Sequence, residues 1–132
     1  MLDAAIKGQA DFSADDCELK RPPPSYSIDT VLEIRERDSK SDLFWLIGAD
    51  NVRDLNKWHR FDELKKLVQF VVLDRGRGEK AARKYPVVQR NIDISATDIR
   101  KRVASGQSIS YLVPQAVEEI IRREKLYRES AT

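Results

Sequence analysis

A largely parallel, three-layer α/β sheet is the fold class this sequence of 132 residues predicts. Two apolar runs, Leu43-Phe44-Trp45-Leu46-Ile47 and Phe70-Val71-Val72-Leu73, read as strands covered on both faces, the mark of parallel sheets. Segments with helical spacing separate the extended stretches, which gives the alternation of an α/β protein. Polar segments follow the strand ends at Gly48-Ala49-Asp50, Asp74-Arg75-Gly76 and Ser95 to Arg100. Open α/β sheets bind ligands beyond the carboxyl ends of their strands, so this convergence says more than any one segment.

The elements follow in order. Met1 to Gln9 carries Leu2, Ala5 and Ile6 at helical spacing and stops at Gly8. Cys17 to Arg21 is expected as a short strand, halted by Pro22-Pro23-Pro24. Ser25 or Ser27 then caps a helix with Ile28, Val31, Leu32 and Arg35 on one side. A Glu33–Arg37 pair on it is worth only about 0.2–0.5 kcal/mol. A short helical segment leads from Asp50 to Trp58, Phe61 to Val68 forms a helix, and residues 87–94 are largely extended. Ser95, with Asp98 three residues on, resembles a capping box opening a helix that holds Ile99 and Val103 and ends at Ser105-Gly106. Pro114 suits the first turn of the last helix, which turns Val117, Ile120 and Ile121 inward and pairs Glu118 with Arg122 and Glu119 with Arg123.

Composition narrows the class. The length fits one domain spanning residues 1–132, and 41% hydrophobic residues suffice for a packed core. Lys and Arg outnumber Asp and Glu by 24 to 22, too near balance to argue for a nucleic-acid or membrane partner. The single cysteine, Cys17, cannot form an intrachain disulfide, which favours a reducing, cytoplasmic setting. No apolar run reaches the roughly 20 residues that span a bilayer, and the start of the chain does not read as a signal peptide. There is no metal-ligand cluster, nucleophile elbow or Walker-type glycine loop in the sequence.

The candidate site residues sit at the strand ends. Gly48 would let a ligand approach the backbone, and Asp50 would accept hydrogen bonds from a ribose diol; simple helix capping also explains Asp50. Arg75 and Arg100 would neutralise phosphate oxygens. The free N–H groups of the helix opened at Ser95, with the Ser95 and Thr97 hydroxyls, form a phosphate cradle, although a capped surface helix without ligand fits the same residues. Trp58 offers a flat face for stacking or a lid on the sheet edge. His59, the only histidine, need not face the same way, since adjacent helical residues diverge. Tyr26 and Ser27 would meet a substrate across a helix start.

Five segments together resemble a known family: Ser25-Tyr26-Ser27-Ile28-Asp29-Thr30, Leu46-Ile47-Gly48-Ala49-Asp50, Trp58-His59, Ile94 to Arg100, and Tyr111-Leu112-Val113-Pro114 through Leu126-Tyr127. In order and approximate spacing they are similar to bacterial nicotinate-nucleotide adenylyltransferases, members of the nucleotidyltransferase group with a Rossmann-like fold. The resemblance implies transfer of AMP from ATP to nicotinate mononucleotide, giving deamido-NAD and pyrophosphate with Mg2+. It implies that Trp58 stacks on the pyridine ring and that the backbone around Ser27 and His59 meets its carboxylate. Gly48 and Asp50 would seat the ribose, and Ile94, Ser95, Thr97 and Arg100 would line the adenosine and phosphate side. Ser27 stands where the family usually has threonine. Arg75 sits where many members read Arg-Pro-Gly, with Gly76-Arg77-Gly78 here in place of the proline.

The family's Gly-x-Phe-x-Pro-x-His-x-Gly-His phosphate loop cannot exist in a chain with one histidine. Met1 aligns with the interior of the family pattern, so the expected fold is a Rossmann-like sheet incomplete at the N-terminus, with its catalytic residues unknown. Three alternatives stay open: a truncated adenylyltransferase, a non-catalytic nucleotide- or partner-binding module, and the related phosphopantetheine-type branch. An unpaired sheet edge would favour a homo-oligomer.

Overall fold

Both apolar runs become strands in a computed structural model that describes residues 1–74, 84–90 and 93–128. Strand β1 (Phe44–Gly48) runs parallel to β2 (Gln69–Asp74), with Phe44 opposite Gln69 and Gly48 opposite Leu73. Strand β3 (Val87–Gln89) is parallel to β2 in turn, giving the order β1-β2-β3. Parallel neighbours need a long crossover. Between β1 and β2 it is a 3-10 helix (Ala49–Lys57) and a helix at Phe61–Leu67. The Rossmann-like α/β class is therefore the one observed.

The chain forms two compact units, residues 16–92 and residues 1–15 with 93–132. In the first, the helices are α2 (Cys17–Lys20), α3 (Ser27–Arg37) and α4, the Phe61–Leu67 helix. Ile28 and Val31 from α3, Leu64 from α4, Val52 and Leu55 from the 3-10 helix, and Ile47, Phe70 and Val72 from the sheet make its core. Arg35 ties this core's rim together, donating to the carbonyls of Ser41 at 2.6 Å and Leu67 at 2.9 Å.

In the second unit, α1 (Leu2–Ile6) packs on α6 (Gln115–Arg123), and α5 (Ala96–Ala104) contributes Ile99 to a core shared with Ile109 and Ile121. Gly106 ends α5 with φ +68°, a backbone region few residues but glycine enter freely, and the following Gln107 N–H reaches back to the Arg102 carbonyl. Among the described residues no helix is long and apolar enough to cross a membrane.

Four expectations are corrected. Residues Cys17–Lys20 are helical, not a strand, because a single turn docked by its side chains overrides weak local propensity. Neither serine caps α3: Tyr26 holds the cap position without a side-chain bond, and Ser27 is the first helical residue. β1 is not covered on both faces, since Phe44 is 56% and Leu46 60% exposed while Ile47 on the opposite side is buried. The surface pairs expected on the last helix also rearrange. Glu118 accepts from the Ser110 hydroxyl, and Arg123 pairs with Glu124. Exposed ion pairs are too weak to hold one geometry against such competitors.

Candidate functional site

In the first unit Gly48 and Asp50 lie at the carboxyl end of β1, and Ser27 meets the Trp58–His59 pair at the start of α3. Gly48 ends β1 with ordinary extended torsions, so its need is for space, not for conformation. A Cβ there would collide with Oδ1 of Asp50, whose carboxylate folds back over the glycine from the first turn of the 3-10 helix. Asp50 is otherwise exposed, while Asp74, which ends β2 alongside, is buried. Arg75 and the glycines after it lie outside the described residues.

The 3-10 helix delivers Trp58 and His59 to a turn completed by Arg60, a non-glycine residue with φ +51°. The two aromatic residues diverge as expected. Trp58 is half-buried and leans its ring edge-on toward Phe70, with centroids 6.4 Å apart. The His59 ring is exposed and stacks on Tyr26, centroids 4.2 Å apart and planes 24° from parallel. That stack brings the start of α3, with Ser27, beside the Trp58–His59 turn. A second tie runs the same way, from Arg60 to Asp29 at 4.0 Å. A helix start leaves N–H groups without intrahelical partners, and no side chain caps those of α3. The local arrangement is a flat aromatic surface beside uncapped N–H donors, which suits a planar ring bearing an anionic group.

Three residues outside the predicted set support this corner. The Thr30 hydroxyl donates to Glu18 Oε1 at 2.6 Å and accepts from Arg21 Nη2 at 2.7 Å. Reading residues 17–21 as a strand hid the group, because positions 18 and 21 then face opposite ways. As a helical turn they share a side, and Glu-x-x-Arg ahead of a proline run is the signal that would have found them.

The second unit holds the other predicted group. Ser95 caps α5, its Oγ accepting from the Asp98 N–H at 3.0 Å. Asp98 completes only half a capping box, since its carboxylate takes the Arg102 Nε–H instead, at 3.0 Å. Thr97 and Arg100 are exposed on the first turn, 3.5 Å apart. Ile94 is half-buried against this unit's core. A cavity of about 510 Å³ lies at the other end of α5, lined by Val103, Gly106, Ile109, Glu118 and Arg122, and so does not coincide with the Ser95 cap. Among the described residues no three His, Cys, Asp or Glu side chains gather to hold a metal ion.

A parallel α/β sheet with polar turns beyond its strand ends defines a class of protein that binds ligands at those ends. Residues 1–102 match the family described as cytidylyltransferase-like. A protein from Streptococcus pyogenes serotype M1, named as a nicotinate-nucleotide adenylyltransferase, is 42% identical over 97% of this chain and 62% of its own length. A protein of the same name from Exiguobacterium sibiricum is 37% identical over 96% of this chain and 69% of its own length. The chain belongs to the cytidylyltransferase-like family, in its nicotinate-nucleotide adenylyltransferase branch. It spans about 62% of the length of the streptococcal relative.

Solved structures share the fold. A Vibrio parahaemolyticus protein named as a nicotinate-nucleotide adenylyltransferase superposes with a TM-score of 0.73 at 23% identity, covering 98% of this chain and 68% of that one. A Plasmodium falciparum nicotinic acid mononucleotide adenylyltransferase complexed with NaAD gives 0.61 at 17% identity, over 78% of this chain and 57% of that one.

Proposed function

We propose that residues 1–132, as part of a single nucleotidyltransferase-like domain working in the cytoplasm, serve transfer of AMP from ATP to nicotinate mononucleotide. The 5′-phosphate oxygen of the mononucleotide attacks the α-phosphorus of ATP, pyrophosphate leaves, and deamido-NAD forms. No group on this chain needs to become covalently attached; the work is positioning and charge stabilisation. Trp58 offers its exposed face to the pyridine ring, and the N–H groups around Ser27 and His59 receive the carboxylate. Gly48 and Asp50 seat the ribose. In the second unit the α5 start, with Ile94, Ser95, Thr97 and Arg100, takes the adenosine and phosphate side, and Arg75 adds positive charge. Mg2+, which the family resemblance implies, would supply charge neutralisation of the phosphates.

The observation that supports this reading best is the Tyr26–His59 stack, which sets a helix start beside an aromatic turn. A second reading, nucleotide binding without turnover, draws on the single histidine, which is already stacked on Tyr26. Calorimetric titration with nicotinate mononucleotide, and with nicotinamide mononucleotide as control, tests the binding. The carboxylate form is expected to bind more tightly. Trp58→Leu, which still fills the space beside Phe70, is expected to weaken binding by about 1–3 kcal/mol. Equal affinity for the two mononucleotides would overturn the reading. Release of pyrophosphate on adding ATP separates turnover from binding alone.

A further inference from the structure

We propose that Glu18, Arg21 and Thr30 form a positioning clamp that holds Tyr26 against His59 and so shapes the carboxylate end of the pyridine site. Thr30 lies on the first turn of α3, where its own N–H and that of Asp29 both donate to the Tyr26 carbonyl, at 3.3 and 3.0 Å. Its hydroxyl is used twice, as donor to Glu18 on α2 and as acceptor from Arg21 just beyond it. The bond to Arg21 closes a loop that opens with Pro22-Pro23-Pro24 and carries Tyr26. Prolines fix φ near one value, so a loop pinned at both ends leaves Tyr26 little freedom.

The energetics point to geometry as the purpose of the group. Thr30 is 7% and Cys17 4% exposed, and Arg21 Nε and Nη1 are shielded from water without a hydrogen-bond partner. Glu33, 3.5 Å from Nε, offsets the charge but does not satisfy the donors. Unsatisfied buried donors are costly, and an apolar cluster of similar volume would serve stability as well. What apolar packing would lack is the directionality that fixes one loop conformation.

This inference rests on the mononucleotide reading, but half of its test does not. His59 is the only histidine, so its ring C–H resonances are identifiable in the NMR spectrum of the whole chain. Tyr26→Leu removes the stacked ring and measures how far that ring displaces them. Thr30→Val, which keeps the shape of the side chain without its hydroxyl, is expected to move the His59 signals the same way and to weaken nicotinate mononucleotide binding about tenfold. Thr30→Ser restores both. Arg21→Lys, which replaces the fork by a single ammonium, gives an intermediate result and covers the case in which Thr30→Val fails to fold. A folded Thr30→Val or Arg21→Lys protein with unchanged His59 signals overturns the clamp. His59 signals that move in a protein with no affinity for the mononucleotide support the clamp and overturn the substrate reading.

Discussion

At Gly48 a single hydrogen atom separates a strand end from a carboxylate. Its backbone is extended, so alanine meets no torsional penalty, and the conflict is with Asp50 Oδ1 alone. A short exposed side chain can swing away, which places the effect on the position of Asp50 and not on the fold. Gly48→Ala is expected to cost less than about 1 kcal/mol of stability in denaturant unfolding, in keeping with changes that leave the core intact. Its effect on ligand affinity should be larger and should disappear when Asp50 is already alanine. That non-additivity is the signature of two residues acting through one contact. If Gly48→Ala weakens mononucleotide binding equally with and without the Asp50 carboxylate, the ribose role of Asp50 fails.

Helix α5 carries the clearest local signal in the chain, and it separates stability from binding. Ser95 caps it, so Ser95→Ala is expected to lower stability by about 0.5–2 kcal/mol in thermal or urea unfolding. Ser95→Asp keeps a good cap and suits the positive end of the helix, so stability should hold. The added negative charge should nevertheless weaken ATP binding if phosphate lies at this start. Unaltered ATP affinity in Ser95→Asp would leave Ser95 a structural cap only. This element was legible because Ser-x-x-Asp ahead of an apolar face has one physical interpretation. β2 was legible for a similar reason, as a β-branched run between charged and polar neighbours. α2 was not, because four residues carry too few positions to show a period, and its partner Thr30 lies well along the chain. The Ser27 and His59 neighbourhood was legible only through family resemblance. Nothing in local sequence says that Tyr26 will stack on a ring 33 positions away, because that proximity comes from the parallel crossover.

For the molecule as a whole, the open face of the sheet decides its behaviour in solution. Register places Phe44 and Leu46 on the same side as Val71, Leu73 and Val88. Phe44, Leu46 and Val88 are 56%, 60% and 42% exposed, so the apolar band reaches solvent. β1 pairs with β2 on one side and is the outermost strand of the described sheet. A run such as Leu43 to Ile47 looks the same in sequence whether one face or both are covered, which is why its exposure was not foreseen. Edge strands that avoid association carry charge or proline, and β1 has neither. The chain is therefore expected to self-associate through β1, with sedimentation velocity showing an average mass that rises with concentration. Leu46→Lys puts a charge at the centre of the band at a largely exposed position. It should return the protein to a monomer while leaving its unfolding temperature nearly unchanged. A wild-type chain that stays monomeric at the highest attainable concentration would show that this edge does not pair. A Leu46→Lys variant that associates as strongly as wild type would move the contact to another surface.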